Sequence, residues 1–307
     1  MIYTVTLNPA LDKTIYVDNF SLDEVNRVLA LREDPGGKGI NVTKVVEALG
    51  GSSEALALLG GSVGARIQQM LDAAHIKLHA FQVAGETRTN TKVVDEVRHT
   101  NTDINEPGPT VSEADLDSML QVLLDLICPQ DIVVLSGSLP VGAPADTYRT
   151  WIEACSAAGA RVFLDASGEA FEKGLEAKPY LIKPNEVELG AMLGRALDTD
   201  DKVVEAARAL VEDGISCVVV SRGGDGAVYV DKDHVVVARS PKVKVASTVG
   251  CGDSVVAALA LGADTSMELD DLLVLAMAAG SANAMQSGTQ PAPLELVESL
   301  KEQVTFA

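Results

Sequence analysis

The sequence predicts an α/β protein in which a mainly parallel sheet, covered by helices on both faces, is joined to a second, smaller sheet. Three observations carry that expectation. From about residue 112 onward, short and near-continuous apolar runs alternate with helical patterns, as expected of strands buried on both faces. Segments 14–17 and 89–105 differ, being rich in Thr and Val with polar alternation. With 307 residues and 47% apolar content, the chain can bury one large core, or one core plus a small appendage.

Taken in order, Ile2-Tyr3-Thr4-Val5-Thr6-Leu7 reads as an opening strand, with no basic region of the kind that starts a signal peptide. After a glycine turn at 36–39, Val42, Val45, Val46 and Leu49 fall at helical spacing, and Gly50 caps the helix end. The extended pieces at 14–17 and 89–105 either pair into a sheet that covers a cleft or stand as surface hairpins. Farther on, the run at 131–135 leads to Ser136-Gly137-Ser138-Leu139-Pro140 and a helix at about 144–158. The runs at 161–164, 180–182 and 217–220 lead in turn to Asp165, to Lys183-Pro184-Asn185 and to Ser221-Arg222-Gly223-Gly224. Ligands of parallel sheets sit beyond the carboxyl ends of the strands, where all these polar residues fall. No repeat, low-complexity tract or linker divides the chain, so residues 1–307 read as a single domain.

Composition narrows the function. A net charge of −20 argues against nucleic acid or an anionic membrane as partner, since both need a basic face. Cys128, Cys155, Cys217 and Cys251 form no close pair and read as reduced thiols of a cytoplasmic protein; His75, His79, His99 and His234 lack zinc-type spacing. The most apolar long stretch, 272–285, is too short to span a bilayer.

Two glycine turns that feed helices carry the chemistry. In Val249-Gly250-Cys251-Gly252-Asp253-Ser254 the glycines let backbone approach an anion, and the helix start supplies free N–H groups and the positive end of the dipole. Asp253, among donors that suit a phosphoryl group, reads as the base that takes a proton from an attacking hydroxyl, or as a plain N-cap. Pro35-Gly36-Gly37-Lys38-Gly39-Ile40-Asn41 offers Lys38 and Asn41 to hydroxyl or phosphate, or is an ordinary turn; it is not a Walker A loop, because no Ser or Thr follows the lysine and no strand is read before it. Asn185 and Glu188 lie one turn apart, placed to hold the hydration shell of Mg²⁺ or to form a capping box, with Lys183 facing phosphate oxygens. Arg88, Asn90 and Lys92 share one face of a strand, either as a solvated row or as ligands; Arg27 is isolated, and Asp12 is a sugar-hydroxyl acceptor or a turn former.

In this order the motifs resemble the PfkB carbohydrate kinases of the ribokinase superfamily, through nearly the whole chain. Gly36 to Val42 resembles the N-terminal family signature, Ser247 to Ser254 the C-terminal one, and Asn185-Glu186-Val187-Glu188 the N-x-x-E element. The resemblance implies a three-layer α/β/α ribokinase-like fold with a β-clasp lid from segments about 12–35 and 87–106, which in this family often builds a homodimer. It implies ATP as phosphoryl donor, Mg²⁺ held by Glu188 through water, Asp253 as base and Gly250, Cys251 and Gly252 as anion hole. Asp12, Gly37, Lys38, Asn41, Arg88 and Ser138 would contact a phosphosugar, with Arg27 reaching a neighbouring subunit's site. Lys183, Asn185, Glu188, Ser221, Gly223 and Gly226 would line the nucleotide, with Asn283 near the adenine. Two positions depart from the family pattern. Cys251 replaces the usual alanine and exposes the site to thiol reagents, and Ser247 stands where ribokinases carry Asp in a monovalent-cation loop, which removes the ground for expecting potassium activation.

Within that family, Thr4 to Pro9, Thr87 to Asn90, Ser136 to Pro140 and Ser167 to Ala170 resemble the ketohexose-phosphate kinases. Fructose 1-phosphate and tagatose 6-phosphate both present a phosphate at one end of a furanose and a free hydroxymethyl at the other. Segment 87–92 and the opening strand favour fructose 1-phosphate, giving fructose 1,6-bisphosphate; segment 22–28 favours tagatose 6-phosphate. A non-catalytic nucleotide or sugar-phosphate sensor would need the anion nest but not Asp253. A dinucleotide-dependent dehydrogenase lacks its glycine fingerprint after the first strand.

Overall fold

In the computed structural model, which describes residues 1–307, the first third runs β1 (Ile2–Thr6), β2 (Ala10–Val17), β3 (Ala30–Gly36), α1 (Lys38–Ala48), β4 (Ser53–Leu59), α2 (Gly61–Ala73), β5 (Lys77–Gln82), β6 (Arg88–Asp95) and β7 (Thr100–Asn105). There follow α3 (Glu113–Leu126), β8 (Ile132–Ser136), α4 (Thr147–Ala157), β9 (Arg161–Asp165), α5 (Gly168–Glu176), β10 (Leu181–Ile182), α6 (Glu186–Leu193), α7 (Asp200–Glu212) and β11 (Cys217–Ser221). The chain closes with β12 (Ala227–Asp231), β13 (Val235–Arg239), α8 (Cys251–Asp264), α9 (Leu269–Ala284), α10 (Leu294–Lys301) and β14 (Thr305–Phe306).

Ten strands form one sheet in the order β14-β13-β12-β11-β10-β9-β8-β1-β4-β5. From β11 to β5 every pairing is parallel, and β12, β13 and β14 extend the sheet antiparallel. Both faces are buried, which is why the strands read as unbroken apolar runs. On β8, Val133 and Leu135 enter one core cluster while Ile132 and Val134 enter the other; on β11, Val218 and Val220 oppose Cys217 and Val219. Helices α3 to α7 cover the first face through residues such as Met119, Trp151, Phe171, Leu189 and Val203. Helices α1, α8, α9 and α10 cover the second through Val42, Leu259, Leu273 and Val297. Three layers result, as the resemblance implies.

Strand order reverses beside β1, whose neighbours are β4 and β8. The chain leaves β1 towards β4 and β5 on one side and towards β8, β9, β10 and β11 on the other. Such a switch point opens a crevice at the carboxyl ends of the strands, the position of ligands in open parallel sheets.

The second sheet has the order β3-β2-β6-β7, with β2 and β6 parallel and the outer pairs antiparallel. It contains the extended pieces expected at 14–17 and 89–105, the latter divided into two strands by the turn between β6 and β7. One expectation is corrected: a strand, β3, does precede the glycine turn at Gly37. Its Ala30 and Leu31 are exposed and its middle is charged, so it carries none of the apolar signal of a core strand. No helix is long and apolar enough to cross a membrane.

Candidate active site

The cleft between the two sheets has a volume of about 730 Å³. Its floor is made by residues at the carboxyl ends of β9, β10 and β11, namely Asp165, Lys183, Asn185 and Ser221. One wall is the glycine turn and α8, the other the small sheet with Asp12, Arg88, Asn90 and Lys92.

Gly37 turns the chain from the small sheet into α1. Its φ of +115° is open only to glycine, and a Cβ there would stand 2.6 Å from Thr6 Cγ2. Lys38 and Asn41 thereby reach the cleft from the first turn of α1. Across from them, Gly250 caps α8 at a φ of +82°, the left-handed residue that folds backbone into an anion-binding concavity. Asp253, third residue of α8 and 6% exposed, points into the same space and accepts a hydrogen bond from Asn41 Nδ2 at 2.8 Å.

Three charges share the floor. Asp165, 2% exposed, takes Lys38 Nζ at 3.2 Å and Lys183 Nζ at 3.6 Å on the same Oδ1. The two ammonium groups hold its carboxyl below the usual range against the opposing effect of burial. Asp253 shifts the other way, to about 6, because burial outweighs Lys38, Asn41 and Lys183, and the charge of Asp165 adds to it. One carboxylate is thus tied up in ion pairs while its neighbour titrates close to neutrality, as a general base should. Six cationic and six acidic side chains line the cleft, against 24 and 44 in the whole chain. The cleft is therefore less repulsive to a phosphate than the charge of the whole chain implies.

Asn185 and Glu188 form a capping box: Asn185 Oδ1 accepts from the Glu188 N–H at 2.7 Å, and Glu188 Oε2 from the Asn185 N–H at 2.9 Å. Glu188 Oε1 is left unpaired, and both residues line the cleft. The cap and a ligand-holding role are compatible.

Most of the expected site residues converge. Gly37, Lys38, Asn41, Arg88, Asp12, Lys183, Asn185, Glu188, Ser221, Gly223, Gly226, Gly250, Cys251, Gly252 and Asp253 all line the one cleft. Three do not. Asn283 is 2% exposed and turns inward, where its amide donates to the Val249 carbonyl at 3.0 Å; it braces the glycine turn, and the face of α9 that meets the cleft is Met277, Gly280, Ser281 and Ala284. Ser138 is exposed at the rim and takes Asn8 Nδ2 at 3.3 Å. Arg27 lies in the exposed β2–β3 loop, in a separate surface depression. Cys251 is half-buried at the cleft wall, and burial raises its thiol pKa. Asp165 was missed as a site residue although it ends an apolar run just as Lys183 does, which is the signal that could have found it.

Residues 5–295 match the pfkB family carbohydrate kinase profile. The chain belongs to the pfkB family. It is 40% identical to the 1-phosphofructokinase of Bacillus subtilis (strain 168) over 305 residues, 98% of this chain and 99% of the relative. It is also 40% identical to the 1-phosphofructokinase of Rhodobacter capsulatus, with 99% and 96% covered. Phosphofructokinase-2 from Escherichia coli, solved in complex with substrates and products, superposes with a TM-score of 0.94 at 32% identity, covering 98% of both chains. That enzyme has also been solved in complex with potassium and in a tetrameric inhibited form. As a pfkB carbohydrate kinase the chain is a phosphotransferase.

The cleft holds no cage of three His, Cys, Asp or Glu side chains, so a divalent cation of a carbohydrate kinase would keep waters and phosphate oxygens among its ligands. Among the carboxylate oxygens of the lining that make no hydrogen bond are Glu188 Oε1 and the buried Asp165 Oδ2.

Proposed function

We propose that the chain transfers the γ-phosphoryl group of ATP to a ketohexose phosphate, with fructose 1-phosphate as acceptor and fructose 1,6-bisphosphate as product. The observation that carries the chemistry is Asp253, a buried carboxylate of raised pKa at the start of α8 and beside a left-handed glycine. Two relatives at 40% identity, named for fructose 1-phosphate chemistry, support the choice of acceptor over tagatose 6-phosphate.

In this reading Asp253 takes the proton of the free hydroxymethyl group as its oxygen bonds to the γ-phosphorus and the bond to ADP breaks. The N–H groups at Gly250, Cys251 and Gly252 receive the charge on the transferring oxygens. Lys38 and Lys183 neutralise phosphate from below, and Asp165 holds both in place before the nucleotide arrives. Arg88, with Lys92 beside it, meets the phosphate already on the sugar, while Asp12, Gly37 and Asn41 hold its hydroxyls. Ser221, Gly223, Gly226 and Asn185 flank the nucleotide, and the small-residue face of α9 leaves room for the base. Glu188 would hold a hydrated Mg²⁺, which would supply charge neutralisation to the phosphates.

The small sheet serves as a lid formed by segments 12–35 and 87–106 of the single domain. Its loop and first strand expose Leu22, Val25, Val28, Leu29 and Leu31, apolar surface that suits a homodimer through the lid and places Arg27 at the neighbouring cleft. The protein acts in the cytoplasm. A coupled assay of ADP release against fructose 1-phosphate, fructose 6-phosphate, tagatose 6-phosphate and unphosphorylated sugars tests the reading. It fails if fructose 1-phosphate is not the acceptor of highest kcat/KM.

A further inference from the structure

Lys44 does not line the cleft, yet its ammonium group ends a chain of contacts that reaches the base. It lies one turn after Asn41 on α1 and donates to Asn41 Oδ1 at 3.3 Å and to the Pro35 carbonyl at 3.0 Å. Asn41 in turn donates from Nδ2 to Asp253 Oδ2 at 2.8 Å. A side-chain amide can be turned either way, and its neighbours decide which end faces which. An ammonium group has only donors, so the amide oxygen must face Lys44, and the NH₂ must then face Asp253. With Oδ2 engaged, Oδ1 is the oxygen left for a substrate hydroxyl.

We propose that Lys44 is a positioning residue for phosphoryl transfer: it fixes the orientation of the Asn41 amide and, through it, the oxygen of Asp253 that accepts the proton. This rests on the reading of Asp253 as base. The charges facing Lys44 are Asp34, Asp12, Asp253 and Arg32; those facing Asp253 are Asp165, Lys38, Lys183 and Lys44. Lys44 is thus a cation set among carboxylates of the sugar side of the cleft, and burial nonetheless lowers its pKa to about 8. It loses its charge near pH 8, well above the pH at which Asp253 ionises, giving kcat/KM a second, alkaline limb.

The test is the pH dependence of kcat/KM for the phosphosugar in wild type, Lys44→Met and Lys44→Arg, with saturating ATP. Wild type is expected to show an acid limb near 6 and an alkaline limb near 8. Lys44→Met should lower kcat by on the order of tenfold with both KM values little changed, lose the alkaline limb, and raise the acid limb by roughly 0.5–1 unit. Lys44→Arg, always charged, should restore most of kcat and return the acid limb to the wild-type position while still lacking the alkaline limb. A folded Lys44→Met enzyme with both limbs in place overturns the proposal. So does a Lys44→Arg enzyme that keeps the limb near 8, a result that decides the matter even where the methionine variant does not fold. Asp253→Asn separates the two readings. If it retains turnover, the base assignment falls; if it is inactive while the Lys44 variants keep both limbs, only the role of Lys44 falls.

Discussion

Asn41 and Asp253 stand 212 positions apart in sequence and 2.8 Å apart in space, the amide of one on the carboxylate of the other. The bond joins the first turns of α1 and α8, and so the two glycine turns that resemble the family's signatures. Neither turn alone holds the carboxylate proposed as base.

Removal of the Asp253 charge should abolish turnover and leave the fold intact. Asp253→Asn is expected to lower kcat about 10²–10⁴-fold, the usual cost of losing a general base. Nucleotide titration of the folded variant should still show binding. A kcat within a few-fold of wild type would take Asp253 out of the mechanism.

The same variant should be more stable than wild type at alkaline pH. Burial raises the Asp253 pKa from 3.8 to about 6, so the folded state binds a proton more tightly than the unfolded chain does. Its contribution is most favourable below about 4 and is lost as pH rises through about 6, where ionisation costs up to about 3 kcal/mol. Thermal unfolding should show Asp253→Asn melting above wild type at pH 8, with the gap closing towards pH 4. An equal gap at both pH values would mean that the carboxylate is not strained by burial.

Arg88 should discriminate between the two substrates. Its guanidinium donates to the carbonyls of Asn8, Pro9 and Glu106, at 2.9, 3.4 and 3.3 Å, and still lines the cleft on the small-sheet side. Arg88→Ala is expected to raise KM for the phosphosugar by on the order of 10–100-fold, the worth of a charge-assisted contact. KM for ATP should move by a few-fold at most. Equal rises in both would assign Arg88 to the architecture of the small sheet.

Hydrogen exchange should locate the moving part. Strand β7 is exposed along its whole length and β3 at its first two residues, the marks of a segment that opens at low cost. Sugar phosphate and nucleotide together should slow exchange in β2, β3, β6 and β7, and leave β8 and β11 protected throughout. Identical exchange in the small sheet with and without ligands would make it a fixed wall.

The core strands were legible because a strand buried on both faces has to be apolar at nearly every position, as at 132–135 and 217–220. A half-buried strand at a sheet edge has no such obligation, and β3, with Arg32, Glu33 and Asp34 in its middle, left no trace. Helix α2 was equally silent: its N-cap is Gly60, without a capping side chain, and Gly64 interrupts its first turns. The antiparallel β12 and β13 show why apolar runs reveal burial and not direction. At the site, glycine turns before helices could be read because their conformational demand is local. What Asp165 does depends on lysines brought from distant segments, and Lys44, whose own partners are local, reaches Asp253 only through the long-range bond of Asn41; no spacing encodes either. Asn283 teaches the converse, since a position on the right helix can still turn its side chain away from the cleft.

Helix α8 is buried on nearly every side, by α1, α9 and the sheet. The proposed base is therefore carried by a largely buried helix, whereas much of the proposed sugar side of the cleft is carried by a small sheet with little core of its own. Such a division lets acceptor preference drift by changes in four peripheral strands while the phosphoryl-transfer apparatus stays untouched. Attempts to redirect the enzyme to a new acceptor belong in β2, β3, β6 and β7, and substitutions in α8 would sooner cost the fold than change the substrate.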